Sequence, residues 1–105
     1  MAAEVSVAQL AIERENGATV LDVREVHEYI EARVPGVQLV PLATVPDALD
    51  ALPRDTTLYV ICRSGVRSQY AADYLNDNGF DAISVAGGTM AWIQQGFDYE
   101  TGDDQ

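Results

Sequence analysis

Four apolar runs of strand length punctuate the chain without the polar alternation of a half-exposed sheet: Ala18 to Val23, Val37 to Val40, Leu58 to Ile61 and Ala82 to Val85. A strand that is apolar at consecutive positions has to be covered on both faces. The covering segments here are the helix-like stretches between the runs. Alternation of strand and helix requires crossover connections, so the chain is predicted to adopt an α/β fold, a parallel sheet with helices on both faces. Ligand sites in such folds lie beyond the carboxyl ends of the strands.

Local signals place the helices. Ser6 and Gln9 have capping-box spacing, Val7, Leu10 and Ala11 share a face, and Asn16-Gly17 ends the pattern, which predicts a helix from Ser6 to Glu15. Further helices are expected over Val26 to Arg33, over Ala43 to Leu52, and from the end of the cysteine loop to about Asn78, with Ala71, Ala72 and Leu75 inward and Gly79 as the stop. A last helix follows Gly87-Gly88 and carries Met90, Trp92 and Ile93. Pro35-Gly36 and Pro41 bracket the run at Val37 to Val40. At 105 residues the chain is one domain, taken as residues 1–97, with a polar acidic tail over 98–105 that is expected to be loose.

Charge narrows the partners. Six basic residues, all arginine, face 17 acidic ones for a net charge of -11, which excludes nucleic acid as a natural ligand. No apolar stretch is long enough to span a membrane, and the amino terminus lacks the basic start and apolar core of a secretion signal, so a soluble cytoplasmic protein is expected.

Cys62, the sole cysteine, stands where the Leu58 to Ile61 run breaks into the loop Cys62-Arg63-Ser64-Gly65-Val66-Arg67-Ser68 and then a helical pattern. A thiolate there faces converging backbone N–H groups, the positive end of a helix and two neighbouring arginines, all of which lower its pKa. The same cradle stabilises an anionic intermediate on the sulfur, Gly65 permits the turn, and no general base is needed. Arg63 and Arg67 are placed to attract an anionic substrate. With no second cysteine there is no internal disulfide and no resolving thiol, so sulfur chemistry at Cys62 needs a second molecule. Cys62 and His27, 35 residues apart, cannot make a metal site, and His27 is assigned no role. No cofactor is required.

Four markers, in order from Leu21 to Trp92, resemble the rhodanese family of sulfurtransferases: Leu21-Asp22-Val23-Arg24; Val34-Pro35-Gly36-Val37 followed by Val40-Pro41-Leu42; the loop Cys62 to Ser68; and Gly87-Gly88-Thr89-Met90-Ala91-Trp92. The resemblance implies a three-layer fold with a five-stranded parallel sheet and a ping-pong transfer through a Cys62 persulfide. The donor would be thiosulfate or another persulfide, and the acceptor cyanide or an external thiol, including one on a thioredoxin-like or sulfur-carrier protein. Cys62 is then the nucleophile and Arg63, Ser64, Gly65, Val66, Arg67 and Ser68 the substrate-binding loop. Asp22 and Arg24 are read as a supporting ion pair. Two departures from the family stand out: the substrate-contacting arginine of larger members has no counterpart among Glu25 to Glu28, and the usual Gly-His is replaced by Ala32-Arg33.

Alternatives differ in class. A cysteine phosphatase encloses a tetrahedral phosphate with a loop one residue longer than the four residues between Cys62 and Arg67. An arsenate reductase would depend wholly on an external thiol. A regulatory or sulfur-carrier module acting on a partner protein would keep the fold, but an inactive one has no use for the cysteine.

Overall fold

The apolar runs become strands β2 (Thr19–Asp22), β3 (Gln38–Leu39), β4 (Thr57–Ile61) and β5 (Asp81–Val85) in a computed structural model that describes residues 1–103. A fifth strand, β1 (Glu4–Val5), pairs with β5. No apolar run announces it, because two residues at a sheet edge need only backbone pairing. The order is β1-β5-β4-β2-β3 with every pair parallel. The central strand β4 aligns Val60 with Leu21 of β2 and Leu58 with Ala82 of β5.

Helices α1 (Val7–Glu15), α2 (Val26–Glu31), α3 (Val45–Ala48), α4 (Val66–Asp77) and α5 (Gly88–Gln94) complete the three layers. Side chains alternate along β4, so Leu58, Val60 and Cys62 enter one layer with Ala71, Ala72 and Leu75 of α4, while Ile61 enters the other with Val7, Leu10, Val20 and Trp92. Leu58, Val60 and Ile61 are fully buried, and each contributes about 1.5–3 kcal/mol through the hydrophobic effect.

Several boundaries depart from the sequence reading. In α1, Ser6 Oγ accepts from Gln9 N at 3.1 Å, but the Gln9 side chain turns to Glu13, so only half of the capping box forms. Helix α2 ends at Glu31 rather than Arg33: Ala32 is extended (φ -170°, ψ 142°) and Arg33 pairs its backbone with Glu100. The expected helix over Ala43 to Leu52 is broken into 3-10 turns at Leu42–Thr44 and Leu49–Ala51 flanking the four-residue α3.

The segment from Asp98, expected to be loose, is tied down as far as it is described. Phe97 stacks on Trp92 at 4.6 Å, and Trp92 Nε1 donates to the Asp98 carbonyl at 2.7 Å. Buried Arg33 lies over the Tyr29 ring at 4.3 Å and donates to the carbonyls of Tyr29 and Gly102 at 3.1 and 2.6 Å. Arg33 thus anchors the segment as far as Gly102. Residues 104 and 105 of the expected tail lie outside the described residues.

Candidate active site

β4 ends at Ile61, which delivers Cys62 to the carboxyl edge of the central strand with its side chain turned toward α4 and only 1% exposed. The chain then reverses into α4 through Gly65, whose φ of 111° would strain any residue with a Cβ. Gly65 N donates to Sγ of Cys62 at 3.1 Å, and Sγ lies 3.5 Å from Oγ of Ser68. Burial pushes the Cys62 pKa up, but the Ser68 hydroxyl and the backbone N–H groups of Ser68, Gly65 and Ser64 outweigh it, and the net shift is downward. The backbone N–H groups expected to converge on the sulfur do so at Gly65, Ser64 and Ser68, and the Ser68 hydroxyl, rather than Arg63 or Arg67, joins them in lowering the pKa.

Those arginines part company. Nη1 and Nη2 of Arg67 donate to the two carboxylate oxygens of Glu28 at 2.7 and 2.8 Å, and Glu28 also accepts from the Glu25 N–H at 3.0 Å. Hydrogen bonding from Arg67 overcomes partial burial and lowers the Glu28 pKa from 4.5 to about 2. In return Glu28 raises the pKa of Arg67, with a smaller attraction from Cys62. Arg67 is thus committed to α2 rather than held out toward an incoming anion. Arg63 is exposed and lines a cavity of about 110 Å³ with Arg24, Glu28, Glu31, Thr89, Met90 and neighbours. Ser64 and Val66 are exposed, Val66 at 76%, while Ser68 is fully buried.

Asp22 and Arg24 form the expected pair, buried and bidentate: Nε of Arg24 donates to Oδ1 of Asp22 at 2.9 Å and Nη2 to Oδ2 at 2.7 Å. The same guanidinium donates to the Ala32 carbonyl at 2.8 Å, so the pair ties the end of β2 to the end of α2.

Four contributors are not assigned to the site from the sequence. Glu28 pins Arg67. Thr89, at the start of α5, donates to the Cys62 carbonyl from both N and Oγ1, at 2.9 and 3.1 Å, and Met90 N donates to the Arg63 carbonyl at 3.0 Å. Ser84 Oγ sits 2.8 Å from Ser68 Oγ, and both residues are fully buried. Ser84 has a visible signal, a hydroxyl inside an apolar run, and Thr89 and Met90 lie within the Gly87 to Trp92 marker, while Glu28 has none.

Residues 6–95 match the Rhodanese-like domain family. The chain belongs to this family. It is 36% identical over 91 residues to YtwF of Bacillus subtilis (strain 168), covering 85% of this chain and 88% of that protein. It is 38% identical over 80 residues to a thiosulfate sulfurtransferase, GlpE, of Pseudomonas paraeruginosa (strain DSM 24068 / PA7), covering 75% and 73% of the two chains. Among solved structures, a rhodanese-related protein from Thermoplasma volcanium superposes with a TM-score of 0.86 at 32% identity, covering 93% of this chain and 97% of that one. The rhodanese fold is thereby established, and no helix among the described residues is long and apolar enough to cross a membrane.

Proposed function

We propose that this rhodanese-type sulfurtransferase carries sulfane sulfur on Cys62, taking it from thiosulfate or another persulfide donor and passing it to cyanide or a thiol. The observation that supports this most is the Cys62 sulfur itself, buried at the carboxyl end of β4 and met by the Gly65 N–H and the Ser68 hydroxyl. The Cys62 thiolate attacks the outer sulfur of thiosulfate, the S–S bond breaks and sulfite leaves with the electron pair. The resulting persulfide is held by the same donors from Ser64, Gly65 and Ser68 that lower the thiol pKa. Cyanide then attacks the outer sulfur, thiocyanate leaves, and the Cys62 thiolate is regenerated. Arg63 is the cation available to a donor at the mouth, and Asp22 and Arg24 support the frame. The relative named thiosulfate sulfurtransferase adds weight to this donor.

Intact mass after thiosulfate treatment tests the reading: the protein should gain one sulfur, about 32 Da, that cyanide removes, and Cys62→Ser should gain none. An unchanged mass in protein whose Cys62 is reduced and alkylatable would overturn it.

A further inference from the structure

Helix α4 carries three of the eight large apolar side chains that are exposed among the described residues: Val66 at 76%, Tyr70 at 76% and Tyr74 at 37%. Spaced four residues apart, they form one stripe that starts in the cysteine loop and runs about 12 Å along the helix. Single exposed apolar groups are ordinary, but a contiguous row of them marks a contact surface.

Both tyrosines line two cavities. Leu42, Val45 and Pro46 face Tyr70, Ala71 and Tyr74 around a largely apolar groove of about 200 Å³. Asp73 and Asp77 join the same tyrosines around a second space of about 210 Å³. Helical periodicity puts Ala71 on one side of the line through Tyr70 and Tyr74 and the two aspartates on the other, so the tyrosines form a ridge with an apolar flank and an anionic flank. Asp77 takes part in no ion pair among the described residues, and Asp73 has only the amino-terminal ammonium at 3.9 Å, an exposed contact that is readily exchanged.

An occupant that satisfies both flanks presents an apolar side chain and a cation close together. A Lys or Arg side chain would meet two carboxylates and the aromatic faces of the tyrosines. Alternate residues of an extended chain point the same way about 7 Å apart, so an apolar residue two places from a Lys or Arg can straddle the ridge. Other occupants meet like charge. Nucleic acid and anionic lipid are repelled by Asp73 and Asp77, and a second copy brings another net charge of -11 and, across a twofold axis, the same two aspartates.

We propose that the ridge of Tyr70 and Tyr74 docks a partner protein through an exposed segment in which an apolar residue stands two places from a Lys or Arg. The continuation of the stripe to Val66 seats that partner against the cysteine loop. The docking surface goes beyond the persulfide chemistry and does not depend on it.

The probe is a capped pentapeptide with phenylalanine second and arginine fourth, titrated into the isotope-labelled full-length protein while backbone amide shifts are followed. Shifts should concentrate at Val45 and over residues 70–77. Replacing the phenylalanine by serine, or the arginine by glutamate, should weaken binding about tenfold, as for anchor residues. In the protein, Tyr70→Gln combined with Tyr74→Gln should cost about tenfold, and Asp73→Asn combined with Asp77→Asn about threefold in dilute buffer and nothing at high salt. Melting curves check that the variants fold, and the peptide substitutions test the wild type whatever the variants do. No binding at millimolar peptide, shifts scattered over the acidic surface, or an affinity indifferent to the peptide's phenylalanine overturns the proposal. So does a dimer of the protein alone that the two tyrosine substitutions dissolve, which would assign the ridge to a second copy.

Discussion

Glu28 grips both terminal nitrogens of Arg67, at 2.7 and 2.8 Å, and so fastens α2 to the first turn of α4 immediately beyond the cysteine loop. The pair is partly buried, Glu28 more deeply than Arg67. Its position makes it a brace for the loop and removes one of the loop's two arginines from the mouth.

The first prediction follows from that brace. The folded-state pKa of Glu28 is lowered to about 2 from 4.5, so its stabilising contribution is fully present above the unfolded value and is lost as pH falls from about 4.5 toward 2. Glu28→Gln should cost about 1–2 kcal/mol at pH 7, a charge-assisted hydrogen bond discounted for the exposure of Arg67. Denaturant melts across pH should show the difference between variant and wild type shrinking through that acid window. A difference independent of pH would mean the carboxylate charge is not what braces the loop.

Ser68 and Ser84 carry the second prediction. When Cys62 ionises, the Ser68 hydroxyl has to donate to sulfur, and the Ser84 hydroxyl 2.8 Å away can donate to Ser68 in turn. Ser68→Ala should raise the Cys62 pKa, because the hydroxyl that favours the thiolate is gone, and slow alkylation on the acid side of the titration. Ser84→Ala should move the inflection the same way by less. Iodoacetamide kinetics from pH 5 to 10 measure both, and an inflection that stays put in Ser68→Ala would transfer the whole effect to the backbone N–H groups.

What the sequence displays and what it hides divide along a physical line. Cys62, the loop around it and the parallel sheet are legible because they depend on local pattern: a buried run, a break at Gly65 and a helix start within a few residues. Glu28 and Thr89 are not legible, because their roles arise from packing α2 and α5 against the loop from 34 residues before and 27 residues after Cys62. The same holds for Arg33, whose burial depends on the tail folding back to place Gly102 and Glu100 against it. β1 is hidden because two residues carry no period. The break before α3 follows from Pro46, which has no N–H to reach the Leu42 carbonyl as a helix begun at Ala43 would require, while nothing in the structure explains the 3-10 turn at Leu49–Ala51.

Gly88 carries the third prediction. It takes φ 59° at the start of α5, and a Cβ there would lie 2.5 Å from the carbonyl oxygens of both Cys62 and Arg63. These are backbone atoms already fixed by Thr89 and Met90, so they cannot yield without moving the nucleophile. Gly88→Ala should cost more than about 3 kcal/mol or prevent folding, since steric conflict adds to backbone strain. Gly96→Ala, also at positive φ but with nothing within 4 Å, should lose only about 1 kcal/mol. Parallel thermal melts compare them, and equal losses would show that φ alone, rather than contact with the loop, makes Gly88 necessary.

The fourth prediction separates the two arginines by salt. Arg63 is exposed at the mouth, so Arg63→Ala should weaken capture of thiosulfate, raising KM about tenfold in dilute buffer with little change in kcat. Screening shortens the Debye length to about 3 Å at 1 M salt, so this penalty should fade as salt is added and wild type approaches the variant. Arg67→Ala behaves differently because it frees Glu28 and loosens the start of α4. It should lower the melting temperature and reduce kcat at saturating thiosulfate, with a penalty that persists at high salt because the lost contact is a short, partly buried pair rather than long-range attraction. Thiosulfate-to-cyanide kinetics at several salt concentrations, beside melts of the same samples, distinguish the two. If the Arg67→Ala penalty vanished with salt while stability was unchanged, Arg67 would be a second electrostatic contact for the donor, and the bracing role of its pair with Glu28 would be refuted.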